Sequence, residues 1–202
     1  MDKHIAKIIL EAAQMLCSTK RLLDADEPER VKSDNLIGGV YKIAHKNHPV
    51  TIWCRASQAN FIWTLDLIDA MNAEWKYRYG HPESKQHKSF IVAQYLRQNV
   101  PAAHKFEKVK IADIMTPFAL AMPDEYKIRT KPGIASNGVS HGDETFDAVA
   151  SYRRYYLSEA KRRIATWKKK RGMPAWYAIA IAKMTNTVPK KLKFVIIRRA
   201  TS

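Results

Sequence analysis

The feature that most constrains the fold is a run of apolar side chains in residues 49–79 that recur every three or four positions. This spacing puts them on one face of a helix, whose period is 3.6 residues. Pro49 suits the first helical position, and Gly80 suits the left-handed residue that ends a helix. The pattern predicts one long helix over residues 49–79. Its buried stripe consists of Phe61, Leu65, Ile68, Met71 and Trp75.

The same helical period dominates the rest of the chain, and no internal repeat or low-complexity tract interrupts it. The other predicted helices are one from about Asp2 to Leu23 with Asp2 as its N-cap, one capped by Ser84, a long one from Asp147 to Arg171, and shorter segments at Val109–Ile114 and Trp176–Met184.

These helices predict an all-α fold with a single compact domain of about six helices over residues 1–177. Residues 24–48 include Pro28 and Gly38-Gly39, so we expect a long irregular connection there. Gly133 to Gly142 is predicted to be a loop. Residues 178–202 are predicted to be a basic C-terminal extension that packs on this domain or extends from it.

Several classes of protein are disfavoured by missing patterns. Cys17 and Cys54 form no paired motif, which favours a reducing cytoplasm, that of the host cell if the protein is viral. No apolar run approaches the roughly 18 residues of a membrane span, so no membrane partner is expected. His45 and His48 lack further ligands at suitable spacing, and no glycine-rich phosphate loop occurs, so we expect no metal and no cofactor.

Charge is concentrated at the C-terminal end of the chain. The 35 Lys and Arg residues against 19 Asp and Glu give a net charge of +16. From residue 152 to 202 there are 15 basic residues and one acid, Glu159. This asymmetry favours nucleic acid as the partner, DNA more than RNA, although a solvated basic surface is the alternative. The candidate phosphate-binding residues are Arg153, Arg154, Lys161, Lys168, Lys169, Lys170 and Arg171, with Arg154, Lys161 and Lys168 in one column of the predicted helix.

A polar stripe lies beside the apolar face of the first predicted helix. It contains His4, Lys7, Glu11 and Gln14. A lysine amine can act as a nucleophile, a carboxylate can stabilise developing positive charge, and histidine can move protons near neutral pH. We therefore consider Lys7, Glu11, His4 and the later His48 as candidate catalytic residues. The alternative is that Lys7 and Glu11 form an ordinary ion pair on a solvated helix.

Aromatic, cationic and amide side chains alternate in two further segments. Trp53, Arg55 and Asn60 follow a predicted helix start, and Arg78 lies between two tyrosines ahead of His87 and Lys88. Such groups stack on bases and bind phosphates in proteins that take single strands or flipped bases. The alternative for Trp53 is burial in the core.

Five segments follow one another in a specific order along the chain. They are Asp2-Lys3-His4 with KIILEAAQMLCS, YKIAHKNHPVTIWCRASQANFIW, WKYRYGH with HKS, AMPDEYKI, and SYRRYYLSEAKRRIATWKKKRGMPAWY. Over about residues 2–177 this order resembles a family of small phage-type helical proteins, most without a recorded function. More distantly it is similar to the all-α phage pyrimidine-dimer DNA glycosylase. That similarity implies base excision by an amine that forms an imine at C1′, assisted by a carboxylate.

Together these features predict a phage-type DNA-binding protein, with DNA repair or base modification of the glycosylase or lyase kind as its activity. The alternative is a nucleic-acid-binding or virion or nucleoprotein assembly protein without chemistry. A concave pocket that joins residues 4–11 with 48–60 and 78–88 would favour the enzyme, whereas burial of those groups in satisfied pairs would favour the binding protein.

Overall fold

In the computed structural model, residues 2–24, 40–130, 138–141 and 144–186 are described. The predicted connection at residues 24–48 and the basic extension at 178–202 therefore fall largely outside the described residues. The helices are α1 (Asp2–Leu23), α2 (Pro49–Ala56), α3 (Gln58–Tyr79), α4 (Lys88–Gln98), α5 (Ala148–Tyr156), α6 (Glu159–Ile164) and α7 (Ala175–Met184). The all-α prediction is confirmed, and the predicted boundary between residues 177 and 178 falls inside α7.

The main core lies between α1, α2, α3 and α4. The apolar stripe predicted on α3 is buried from Phe61 to Met71, and Trp75 is partly buried against the same core. Ile9 and Leu16 of α1 and Leu96 of α4 pack in this core. Each fully buried side chain of this size contributes roughly 1.5 to 3 kcal/mol through the hydrophobic effect. Phe106, which follows a short 3-10 turn at Ala103–Lys105, closes the core with an edge-on contact to Phe61.

A smaller apolar cluster joins α5 to the main core. Its buried members include Leu120, Phe146 and Ala148, and Phe118 packs against both clusters. Two short strands precede α5: β1 (Gly138–His141) and β2 (Glu144–Asp147), which pair in antiparallel fashion. Part of the loop predicted at Gly133–Gly142 is therefore a strand, because its backbone pairs with β2.

The single helix predicted over residues 49–79 is divided at Ser57. The Ser57 backbone is extended, and its hydroxyl accepts a hydrogen bond from the Asn60 N–H, as an N-cap residue does. The backbone N–H groups of residues 107–109 donate to the Arg55 and Ala56 carbonyls that the break exposes. These distant donors compensate for the lost helical hydrogen bonds, so the prediction of one helix was wrong at this residue.

The long helix predicted over residues 147–171 was also wrong. Asp147 caps α5, Ser158 caps α6, and the chain leaves helical geometry after Ile164. Since the helix ends there, Arg154, Lys161 and Lys168 lie on three different segments and do not form one column.

Three smaller predictions need correction. Asp2 is the first residue of α1 and does not precede it. The helix expected to begin after Ser84 is capped by His87, whose Nδ1 accepts from the Ser89 N–H. Residues 109–114 form bends and turns, with Asp113 in the left-handed region, so no helix forms there.

Candidate nucleic-acid interface

The polar stripe on α1 does not have the geometry of an activated amine. Lys7 Nζ lies 3.2 Å from Glu11 Oε1, and the Lys7 side chain is 70% exposed. This is the ordinary ion pair between residues four apart on a solvated helix. Amine nucleophiles act from desolvated sites, whereas the Lys7 side chain is exposed and paired with a carboxylate.

His4, at the other end of the stripe, is half-buried and contacts α5. Its Nε2 lies 3.4 Å from the Tyr156 hydroxyl, and the two rings meet edge to face. Burial lowers the pKa of His4, and the positive charges of Lys161 and Lys7 lower it further, whereas Glu11 raises it. His4 is therefore a neutral imidazole near neutral pH.

His48 has a structural role as the N-cap of α2. Its Nδ1 accepts a hydrogen bond from the Val50 N–H at 3.2 Å, so that nitrogen is already occupied. Burial and the nearby His45 lower the pKa of His48, and Glu11 raises it. The fold thus places Glu11 within electrostatic reach of both His4 and His48, although their nitrogens do not converge on it.

Trp53 and Asn60, predicted to contact a nucleotide, are buried in a network with Thr116. Asn60 donates from Nδ2 to the Trp53 carbonyl and to the Thr116 hydroxyl, both at 2.7 Å. Its Oδ1 accepts from the Thr116 N–H at 3.0 Å, and the Trp53 indole N–H donates to the Thr116 carbonyl. A ligand would have to break these buried hydrogen bonds, so both predicted contacts are corrected to structural roles.

The predicted contacts Arg55 and Arg78 are also engaged within the fold. Arg55 is buried and donates to Glu107 and to the Lys46 carbonyl, both at 2.8 Å. Arg78 donates to Asp2 at 2.9 Å and to Glu74 at 2.7 Å. The Arg78–Asp2 pair is shielded on both sides, where loss of one partner is costly, whereas Glu107 is 46% exposed. Both guanidinium groups are thus already engaged in contacts that stabilise the fold.

His87 and Lys88, the last pair predicted there, separate in role. His87 caps α4 and packs its ring edge against Trp75, so it is part of the framework. Burial lowers its pKa. Lys88, at the first residue of α4, is exposed to solvent and stays a candidate for a phosphate.

Five of the seven cations predicted in the C-terminal part lie over aromatic rings. Arg153 lies 5.4 Å from the Trp176 ring centre, and Lys161 lies 4.7 Å from that of Tyr155. Lys169 lies over Tyr79 at 5.5 Å. Such cation–π contacts hold flexible cationic side chains in place beside flat ring surfaces.

The basic segment at residues 168–171 packs against the C-terminal end of α3. Lys170 and Arg171 lie over the Tyr77 ring at 5.6 and 4.2 Å, and Arg171 also forms a two-pronged ion pair with Glu74. The last carbonyls of α3 carry partial negative charge, which favours cations at this end. The fold therefore unites two regions singled out independently in the sequence, the tyrosines before Gly80 and the lysines after Trp167.

An aromatic pocket, which the sequence did not predict, has one of the predicted cations, Arg153, in its wall. It has a volume of about 340 Å³, and its walls are Trp63, Phe118, Ala148, Val149, Tyr152, Arg153, Tyr156 and Trp176. Tyr152 and Tyr156 are four apart, so they lie on one face of α5. The tyrosine pair and Trp63 are the sequence signal that could have located the pocket. Trp63 lies on the side of α3 opposite the apolar stripe.

A second, larger groove adjoins the pocket. It has a volume of about 590 Å³ and shares Val149 and Arg153 with the pocket, so the two cavities flank the same edge of α5. Arg154 and Ser158 add polar groups to its wall. Neither cavity is lined by residues 4–11, 48–60 or 78–88, and a pocket that joined those ranges would have favoured the enzyme.

Among the residues that the structure describes, no group of three or more His, Cys, Asp and Glu side chains could hold a metal ion. In the same part of the chain, no helix has both the length and the apolar character needed to cross a membrane. Comparison with protein-family models, curated proteins and solved structures finds no match to this chain. The resemblance to the phage-type family, and through it to the glycosylase, therefore stays a prediction.

Proposed function

We propose that this protein binds DNA through the surface formed by α5, α6 and residues 168–171. One observation supports this most directly: Arg153, Lys161 and Lys169 each lie over an aromatic ring in this part of the fold. A cation held beside a ring can contact a phosphate while the ring offers a flat face to a base, which is how single-stranded nucleic acid is bound. Arg153 and Lys169 remain exposed, so their charge is accessible.

Binding without catalysis is the form of this function that we favour. The residues predicted to contact a nucleotide near α2 and α3 are engaged in hydrogen bonds and ion pairs within the fold, as set out above. That arrangement is the one expected of a structural network in a binding protein. Lys7, the predicted amine, is exposed and paired with Glu11.

The salt dependence of DNA binding tests this proposal. The affinity of the full chain for an oligonucleotide, measured by fluorescence anisotropy, should fall linearly with the logarithm of salt concentration. The double variant Lys169→Gln/Lys170→Gln should flatten the slope by about 0.7 per lost phosphate contact on a single strand, or about 0.9 on a duplex.

The matched control is Lys42→Gln/Lys46→Gln, which removes the same charge from the segment beside α1 and should leave most of the slope in place. Residues of this segment are held to α1 through hydrogen bonds from Arg21 to Tyr41 and between Ser18 and Ala44. Equal slopes for the two double variants would show that total charge alone governs binding, and would contradict the proposal.

A DNA repair or base-modifying activity is the second candidate, and one contact favours it. His4 and the Tyr156 hydroxyl meet at one wall of the aromatic pocket, within the electrostatic reach of Glu11. The test is incubation with normal, damaged and hypermodified DNA followed by borohydride trapping of an imine. A covalent adduct formed by the unmodified protein but not by Lys7→Met would support amine catalysis. If the unmodified protein forms no adduct, imine chemistry on these DNAs is excluded.

A further inference from the structure

The aromatic pocket has one wall built from stacked rings. Phe118 stacks on Trp53 with ring centres 5.2 Å apart, and Trp63 meets Phe118 edge to face at 4.9 Å. Trp53 is in turn buried and held by its indole hydrogen bond to Thr116. Trp63 is 37% exposed, so the outer ring of this stack faces the pocket opening. These contacts position the rings of this wall without a ligand.

The opposite wall, on α5, is fixed by hydrogen bonds. The Tyr152 hydroxyl donates to the Ala119 carbonyl at 2.9 Å and accepts from the Ala121 N–H at 3.3 Å. Tyr156 is positioned by its contact with His4. Because these rings are already ordered, a ligand that enters between them does not bear the entropic cost of ordering them.

The size and lining of the pocket limit what can enter. Ligand pockets range from about 300 to 1,000 Å³, so the pocket volume of about 340 Å³ suits one small flat group. Nearly all of its lining is apolar. A flat ring that stacks through its faces is therefore favoured over a sugar or a charged side chain.

The surroundings of the pocket indicate that this planar group is joined to an anion. Arg153 lines the pocket, is exposed, and is held over the Trp176 ring. Lys161, on the next helix, is close enough to His4 to lower its pKa. A nucleobase joined to its phosphate combines a flat ring with an adjacent negative charge, and it matches both features.

We infer that the aromatic pocket takes one unstacked nucleobase of a DNA strand while Arg153 contacts the adjoining phosphate. This inference rests on the proposed function. It identifies the pocket as the site that distinguishes single-stranded DNA from duplex DNA. Stacking is available to every base because each has a flat face, and the apolar lining offers few groups to read base edges. Binding should therefore favour single strands and show little preference for base sequence.

The test compares a single-stranded oligonucleotide with a strand of the same length in which every residue is abasic. Both strands have the same phosphates, so only stacking distinguishes them. The unmodified protein should bind the base-bearing strand more tightly by about 5- to 100-fold, the range expected for one stacked base. Trp176→Leu should abolish this preference. Because the Trp176 ring also holds Arg153, the affinity for the abasic strand should fall as well, but by less than the affinity for the base-bearing strand. Trp176→Phe, the matched control, retains a ring and should keep most of the preference.

Each outcome has a distinct meaning. Full preference for bases in folded Trp176→Leu would overturn the inference, as would equal affinity of the unmodified protein for the two strands. Failure to bind either strand would instead contradict the proposed function. If Trp176→Leu does not fold, as judged by thermal melting, the partly exposed Trp63→Leu replaces it. Should that variant also unfold, tryptophan emission of the unmodified protein decides, since only the base-bearing strand is expected to quench it.

Discussion

Asp2, at the start of α1, forms an ion pair with Arg78, near the end of α3, at 2.9 Å, and both side chains are largely shielded from solvent. The second Asp2 oxygen accepts from the Lys168 N–H, and the Asp2 N–H donates to the Thr166 carbonyl. The Tyr79 hydroxyl donates to the Asp2 carbonyl. This residue therefore ties three separate parts of the chain together, including the basic segment.

Asp2→Asn should destabilise the protein by about 3 kcal/mol, because it leaves the Arg78 charge without one of its partners in a shielded site. The measurement is the free energy of unfolding from urea denaturation. Glu11→Gln is the matched control, since its exposed pair with Lys7 is worth only about 0.3 kcal/mol. Equal losses in the two variants would mean that the Asp2 pair is not shielded in solution.

Stability should fall in acid. Burial alone would raise the pKa of Asp2, but hydrogen bonds from Lys168 and Arg78 outweigh it and hold that pKa below its ordinary value. The pKa of Glu74 is lowered in the same way by Arg171 and Arg78, which outweigh burial. A depressed carboxyl pKa stabilises the fold above the unfolded value of about 4, and this contribution is lost as pH falls through the folded value.

Thermal melting across acidic pH measures this effect. The melting temperature should decline below about pH 4, and Asp2→Asn should show a shallower decline because it lacks one of the titrating groups. Identical profiles for the two proteins would contradict the lowered pKa. The histidines affect stability at higher pH than the carboxylates. Burial lowers the pKa of His4 and His48, so the unfolded chain takes up protons more readily than the folded one, and stability falls as pH drops below about 6.5.

Glu11→Gln should lower the pKa of both His4 and His48, because the Glu11 charge raises both values in the folded protein. Titration of the histidine ring resonances by NMR measures the two shifts. His87, whose pKa is lowered by burial alone, is the internal control and should not move. A shift confined to one histidine would show that Glu11 does not face both groups.

Asn60→Ala should cost about 3 kcal/mol of stability, because it leaves the Thr116 N–H and the Trp53 carbonyl without a partner in a buried site. Gln58→Ala, which removes a single hydrogen bond to the Pro101 carbonyl, should cost about 1 kcal/mol. Neither variant should alter the salt slope of DNA binding. An Asn60→Ala protein with unchanged melting and weakened DNA binding would restore the predicted nucleotide contact.

The local sequence pattern was sufficient to predict α1, the apolar stripe of α3 with its Gly80 cap, and α7. Helical period and the C-terminal glycine depend only on neighbouring residues. The division at Ser57 was not predictable in this way. It depends on backbone donors from residues 107–109, about fifty positions away. Helical pattern continues through such a break, so propensity alone indicates one helix.

The candidate site was predicted only in part, for a related reason. The basic residues of the C-terminal region and the tyrosines before Gly80 were identified from composition, yet their contact depends on the tertiary fold. Asn60 and Arg55 have the chemistry of nucleotide ligands, but their partners Thr116 and Glu107 lie more than fifty residues away. The pocket is absent from local pattern altogether, since its walls come from four separate parts of the chain.

The two-pronged ion pair between Arg171 and Glu74 reduces the number of cations that are available to DNA phosphates. A guanidinium that is already paired with a carboxylate does not neutralise a DNA phosphate. It therefore releases no condensed counterion from the DNA when the protein docks. Of the four consecutive cations at residues 168–171, Arg171 is thus neutralised internally, and three remain for phosphates. The number of ions released on docking should therefore be smaller than the 35 Lys and Arg residues alone suggest.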